Sequence, residues 1–339
     1  MAVDGIHTKR DRETVTLKQV AERAGVGIMT VSRVINTPEA VSDKLKARVN
    51  EAVRELGYVP NRYAGSLASA RTSLVTVIVP SLSGRVFGEI IKGADEILSP
   101  RGYQIMVSNT AYSLEDEELV CRRVLGWRPE GVIISGIDHT EGTRRLLLDA
   151  EIPVVEALEL GGNPIDINIG LSHRDAGRAA VDHLLERGYR QLSFIGAQMQ
   201  IDFRAQRRRQ GFLDGLAAAG LQAVHDISFD GKVAFEAGAA AFAQLQDTGE
   251  ATDAVFCVSD ELAIGVLGEA QRRGLRVPQD LAIIGFNDLD VSSAVMPALT
   301  TIRSPRKQMG RLAAQALLGD GDLAKKIDVG FELIPRGST

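Results

Sequence analysis

The chain has 339 residues, 45 % of them hydrophobic and 24 % charged, with a net charge of −5, a balance that supports sizeable buried cores and excludes a disordered or collagen-like chain. No apolar run approaches the roughly eighteen residues of a membrane span, and the opening MAVDGIHTKRDRE lacks the apolar stretch of a secretory signal, so a cytoplasmic protein with no membrane partner is expected. The first 62 residues are net basic and the rest net acidic, which points to a head that meets a polyanion and a body that does not.

The length predicts two or three domains. Residues 1–13 read as a polar tail and residues 14–60 as a small helical head. Within the head, Leu17 to Asn36 reads LKQVAERAGVGIMTVSRVIN. Thr16 followed three residues later by Gln19 is a capping-box pattern, and Val20, Ala21 and Ala24 recur on one helical face. Gly25 supplies the positive φ at which the first helix stops. A second helix then turns Val31 and Val34 inward and Thr30, Ser32, Arg33 and Asn36 outward. An ordinary helical hairpin has the same spacing, but small hydroxyls and one Arg on a helix braced across a Gly turn suit the DNA major groove. Ser42 is the expected cap of a third helix carrying Leu45, Val49, Val53 and Leu56, with Gly57 to end it. A head this small is marginal alone.

Residues 61–72 open with NRYAGSLASA, between the basic head and the acidic body. One reading is a flexible linker. The other is a helix too weak to form by itself, because of Gly65 and its serines, that folds on DNA and inserts Leu67 between base pairs from the minor groove.

Residues 73–339 form the body. The runs LVTVIVP, YQIMVS, GVIISG, IPVVEAL, QLSFIG, AVFCVS and LAIIGF are short and rich in Val and Ile, and helical patterns separate them. Such alternation predicts parallel sheets covered on both faces. The number of strands favours two αβ lobes, with a boundary near 163–172, and a helix over 304–318 that crosses back near 300–305. Ligands of such sheets bind beyond the strand carboxyl ends, which places 80–87, 135–138, 197–209, 259–260 and 287–290 around a common cleft. Cys121 and Cys257 lie far apart and outside any CxxC pattern, so no metal site is expected and both thiols are expected reduced in a core. His7, His139, His173, His183 and His225 are scattered and read as loop or surface residues. A sugar-acid enzyme is disfavoured, since Asp260 and Asp288 come without a nucleophile triad, metal cluster or phosphate loop, and SLSG stands where GxGxxG would be.

Several stretches together carry a family resemblance: TLKQVAERAGVGIMTVSRVIN, LGYVPNRYAGSLA, VSDELAIGVLGEAQRRGLRVPQDLAIIGFND, PALTTIRSP and the ending RGST. In this order the chain resembles the LacI/GalR family of bacterial transcription regulators from Val15 onward. The resemblance implies an α/β fold: a helix-turn-helix three-helix head, a hinge helix, and a periplasmic-binding-protein-like core of two doubly wound parallel-sheet lobes. It implies a cofactor-free, non-enzymatic regulator associated with the nucleoid, acting as a homodimer on palindromic double-stranded operator DNA. Ile28, Met29 and Arg33 match the base-reading positions. Thr16, Thr30, Ser32, Asn36, Asn61 and Arg62 match positions near phosphates or bases, and Leu67 matches the hinge leucine. Ile28 and Met29 are apolar where many relatives carry hydrogen-bonding side chains, and suit thymine methyls.

In the core, Arg208 matches the arginine that holds effector hydroxyls, and Phe87, Ser135, Ser259 and Asp260 map to the cleft. Asn287 stands where the family has an acidic sugar ligand. A second acidic position is Leu158, with Glu156 nearby. Two acidic groups are thus lost while Arg85, Arg204, Arg207, Arg208 and Arg209 crowd the cleft loops, which favours a carboxylate-bearing effector. The expected effector is a sugar acid such as gluconate or 2-ketogluconate, and PSLSGRVF and IPVVE resemble the gluconate-type branch of the family. Its binding is expected to lower operator affinity. The alternatives are a regulator of a neutral-sugar or purine pathway, with the ligand as corepressor, and a transport binding protein, which the basic head opposes. With Thr339 soon after the last strand, no tetramerising helix is expected.

Overall fold

A computed structural model describes residues 15–59, 72–82 and 85–339, the side chains of Asn36 and Arg85 excepted. The tail over 1–13 and most of the hinge, with Asn61, Arg62 and Leu67, lie outside the described residues. The chain divides into two units after Thr72.

The head has three helices, α1 (Leu17–Ala24), α2 (Ile28–Asn36) and α3 (Asp43–Leu56). Both bonds of the capping box form: Thr16 Oγ1 accepts the Gln19 amide at 3.3 Å and Gln19 Oε1 accepts the Thr16 amide at 2.7 Å. Gly25 ends α1 at φ 62° and Gly57 ends α3 at φ 63°. Ser42 stands at the cap position of α3, but its hydroxyl bonds to no helix amide. Val20, Ala21, Ala24, Val31, Val34, Val49 and Ala52 form the core. Arg48 Nη2 donates to the Ala24 carbonyl at 2.7 Å, which fastens α3 to the otherwise unsatisfied end of α1.

The body has two lobes. The first runs β1 (Leu74–Val79), α4 (Arg85–Leu98), β2 (Gln104–Asn109), α5 (Leu114–Leu125), β3 (Gly131–Ser135), α6 (Glu141–Asp149), β4 (Val154–Glu159) and β5 (Ile167–Leu171). The chain then enters the second lobe with α7 (His173–Glu186), β6 (Leu192–Ala197), α8 (Phe203–Ala218), β7 (Asp226–Phe229), α9 (Phe235–Asp247), β8 (Ala254–Cys257), α10 (Asp260–Arg272), β9 (Ala282–Phe286) and β10 (Thr300–Arg303). Next, α11 (Arg306–Leu318) packs on α4, and β11 (Lys326–Asp328) pairs with β5, before β12 (Glu332–Ile334) returns to β10. The sheets run β11-β5-β4-β3-β1-β2, all parallel, and β12-β10-β9-β8-β6-β7, parallel except at β12. Three strands of chain therefore join the lobes, the third between β11 and β12 being absent from the sequence reading. Val and Ile fill both faces of the inner strands, as parallel sheets under two helical layers require.

Glu156 is not a cleft residue. It shares a face of β4 with Val154, toward the layer of Ile78, Val132 and Ile134 under α5 and α6, and is 1 % exposed. Leu158, at φ 83°, breaks the strand alternation, so the two residues face opposite ways despite their spacing. Glu156 Oε2 accepts the Ile165 amide at 2.6 Å, and its Oε1 lies 3.5 Å from His139 Nε2. His139 Nδ1 meets Glu117 Oε1 at 2.6 Å. His139 lies in a loop with its side chain enclosed between carboxylates, whereas His173 and His183 are buried on a helix, contrary to the loop or surface reading, His183 bonding to Thr339 Oγ1 at 2.9 Å.

Burial opposes a charge on His139, but Glu117 and Glu156 raise its pKa to about 9 from an ordinary 6.5. The folded value exceeds the unfolded one, so this stabilisation is complete below about pH 6.5 and is lost as pH rises through about 9. Melting curves should show stability falling by on the order of 3 kcal/mol across that window. In His139→Gln this slope should be absent.

Candidate functional site

The head presents α2 outward. Ile28 and Met29 are 47 % and 71 % exposed at its first turn, and Arg33 is exposed one turn on. Thr30 and Ser32 are half-buried beside them. Gly27 caps α2 with no side chain over its first amides. An apolar pair, hydroxyls and an Arg thus project from one end of a helix braced by the core. Thr16 is committed to the α1 cap through its hydroxyl.

In the body, the carboxyl ends of both sheets border one cleft of about 580 Å³. The first lobe contributes Pro80, Ser81 and Leu82 after β1, Phe87 from α4, Asn109 at the end of β2, Tyr112 after it, and Leu158 from β4. The second contributes His173, Asp202, Arg204, Arg208, Lys232, Ser259, Glu261, Phe286 and Asn287. Backbone strain concentrates here. Ala111, Tyr112, Leu158, Gln198 and Asn287 are non-glycine residues with positive φ on the cleft wall, a cost that folded proteins sustain mainly at functional sites.

Arg208 is at the centre. It is 6 % exposed, its Nη1 donates to His173 Nδ1 at 2.8 Å, and its Cζ lies 4.4 Å from the centroid of the Phe286 ring. Its Nε is buried without a hydrogen-bond partner, and the nearest paired carboxylate atom, Asp202 Oδ2, is 4.0 Å from Nη2. Burial and the cations of Arg208 and Arg204 hold His173 well below the usual histidine range, so the ring is neutral. Arg204, one helical turn earlier, lies over Phe87 at 5.8 Å. Burial pushes Tyr112, in contact with Arg204, up to about 12. Asp202 caps α8 by accepting the Arg204 and Ala205 amides, each at 3.1 Å.

The position of Arg208 depends on two glycines. A Cβ on Gly177 of α7 would lie 2.0 Å from the Arg208 carbonyl oxygen, and one on Gly211 of α8 would lie 1.8 Å from that of Arg174. The helices meet backbone to backbone, which brings His173 against Arg208.

The other expected residues separate. Ser135 lines a smaller cavity of about 40 Å³ beside the cleft, with Pro80, Tyr112, Asp202 and Arg204 shared between the two. Asp260 does not reach the ligand space: it is fully buried and its carboxylate accepts from Leu289 N, Ser292 Oγ and Thr301 Oγ1 at 2.7, 2.7 and 2.5 Å. It ties the loop after β9 to α10, and burial pushes it up to about 6 against those three donors. Arg207 turns from the cleft to Asp138, with two bonds of 2.7 Å that bridge the lobes. Arg209 is paired with Asp226. Arg85 is the first residue of α4, and its side chain lies outside the described residues. Asn287 is on the wall, its carbonyl accepting from Arg306 Nη1 at 2.5 Å. The sequence reading missed Tyr112, His173, Lys232 and Glu261; each follows a strand end, which was the available signal. Among the described residues no cluster has the donors for a metal ion.

Residues 16–61 match the family described as bacterial regulatory proteins, lacI family, and residues 181–339 match the periplasmic binding protein-like domain. The chain is 39 % identical over 342 residues to the HTH-type transcriptional regulator GntR of Pseudomonas aeruginosa, covering 98 % of this chain and 99 % of that one. The chain belongs to the LacI family. A LacI-family regulator from Silicibacter pomeroyi superposes with TM-score 0.90 at 36 % identity, over 96 % of this chain and 99 % of that one. The lac repressor dimer bound to operator and the anti-inducer ONPF superposes with TM-score 0.81 at 26 % identity, over 96 % and 99 %. As a LacI-family member the chain is a DNA-binding transcriptional regulator, its head formed by the family's helix-turn-helix and its core by two parallel-sheet lobes.

Gly211→Ala should separate α7 from α8 and lower stability by about 1–3 kcal/mol, the usual penalty for overpacking. Urea unfolding checks the loss, and weakened effector binding should accompany it.

Proposed function

We propose that the protein is a repressor whose operator affinity falls when a sugar acid of the gluconate or 2-ketogluconate class occupies the cleft. The observation that carries this reading is the pair Arg204 and Arg208, one turn apart on α8, with Arg208 buried and no carboxylate within hydrogen-bonding distance of it among the described residues. Positions at which the family resemblance implies acidic sugar ligands hold Leu158 and Asn287. Both changes favour an anion over a neutral sugar, since guanidinium groups bind carboxylates through parallel, charge-assisted bonds. Lys232 adds a third cation to the wall, while Asp202 and Glu261 supply acceptors for hydroxyls.

In this reading two copies of the chain place two heads on a palindromic operator in the cytoplasm, at the nucleoid. The structural similarity to the operator-bound lac repressor dimer supports that arrangement. Lys and Arg contacts to phosphates supply most of the affinity, and Ile28, Met29 and Arg33 the base reading, with Thr16, Thr30, Ser32, Asn36, Asn61 and Arg62 close to the backbone and Leu67 as the minor-groove wedge. The effector draws the lobes together through Phe87, Arg204, Arg208, Ser259 and Asn287. Coupling of this kind is reciprocal, so the operator weakens effector binding by the same factor.

Two measurements test the reading together. In gel shifts on the DNA upstream of its own gene, gluconate or 2-ketogluconate should weaken binding by about 5–150-fold, the range of ordinary coupling energies. In calorimetry those acids should bind while ribose and galactose do not. Tight binding of only a neutral sugar refutes the sugar-acid reading, and a ligand that tightens the DNA complex reverses its sign.

A further inference from the structure

We propose that His173 is a specificity-determining positioning residue: a neutral acceptor that fixes the Arg208 guanidinium without cancelling its charge, reserving that charge for an anionic ligand. The inference rests on the sugar-acid reading above. Arg208 Nη1 lies 2.8 Å from His173 Nδ1. A guanidinium donates and never accepts, so Nδ1 holds a lone pair and the imidazole is the uncharged Nε2–H tautomer. The same guanidinium stacks on Phe286 at 4.4 Å, and the His173 ring lies 5.4 Å from that phenyl. The fork is therefore fixed along one edge and across one face, while Nε, buried and without a hydrogen-bond partner, is left over.

A carboxylate in place of His173 would orient the fork equally well, but it would turn a buried cation into a closed ion pair. An incoming acid would then meet one positive charge fewer at the centre of the site and would compete with a carboxylate already seated. The nearest candidate for that neutralising role, Asp202, is held off: its Oδ1 accepts two amides at the start of α8, and its Oδ2 is 4.0 Å from Arg208. His173 reaches Arg208 because Gly177 and Gly211 let their helices touch. Orientation and charge thus come from separate groups, and the choice between acid and neutral sugar is made by the charge.

Three variants of the full chain separate the two roles, read by calorimetry with gluconate, 2-ketogluconate and galactose as probes. His173→Asn keeps an uncharged acceptor and should bind the sugar acids within about threefold of wild type, His173→Leu should lose about tenfold or more, and His173→Asp about a hundredfold or more, as expected for a lost bond to a charged group and for a neutralised cation. Galactose should stay unbound by wild type and by all three variants. If that variant does not fold, as a missing melting transition would show, the Asn and Leu variants decide between themselves. Sugar-acid affinity in His173→Asp equal to wild type, or equal losses in the Asn and Leu variants, overturns the role of His173 and leaves the sugar-acid reading standing. Wild type that takes galactose and neither acid overturns both.

Discussion

The Arg208 guanidinium is a charge withdrawn from water before any ligand arrives, and much of the second lobe serves to hold it there. Such burial costs free energy unless something completes the site. Phe286 covers one face, His173 takes one donor, and Asp202 stays beyond bonding range. The arrangement leaves a cation with fixed direction and unmet capacity, which is what preorganised recognition of an anion requires. The glycine contacts between α7 and α8 belong to the same constraint, because any Cβ there would push the two side chains apart.

The cleft lies between lobes that are joined by three crossings and by side chains. Arg207 on α8 grips Asp138 after β3 with two bonds, and Glu159 at the end of β4 sits 3.6 Å from the same guanidinium. Burial pushes Glu159 up to about 7 despite that neighbour. Arg306, in the second crossing, bonds to the carbonyl of Asn287. Arg204, Arg207 and Arg208 therefore occupy successive turns of one helix with different tasks: two face the ligand space and one fastens the first lobe. A ligand bridging the walls acts on an interface that is already organised around α8.

Much of this was legible in the sequence because local chemistry decided it. The capping box at Thr16, the glycine stops at Gly25 and Gly57, and the Val- and Ile-rich strands are short-range signals. The missed elements lacked such signals. β5 carries Asn168, a buried amide that donates to the Glu156 and Glu159 carbonyls, and β7, β10, β11 and β12 have only three or four residues each. Side-chain direction was the harder problem. Glu156 and Leu158 would share a face in a regular strand, and only the positive φ at Leu158 separates them. Four consecutive-looking arginines split between cleft, clasp and surface according to the helical angle and the acid each one finds. Asp260 looked like a ligand because its acidity was visible, whereas the three donors that occupy it come from the segment after β9 and from β10, distant in sequence. The partnership of His173 with Arg208 spans 35 residues and depends on a helix contact that no local pattern encodes.

The central claim is that a buried guanidinium with no carboxylate within hydrogen-bonding distance among the described residues selects its ligand by charge. Calorimetry comparing gluconate with gluconamide tests it most directly, since the amide keeps the chain and its hydroxyls while losing only the negative charge. The account predicts that gluconamide binds about a hundredfold more weakly or worse, the equivalent of about 2.7 kcal/mol; gluconamide binding as tightly as gluconate would contradict it.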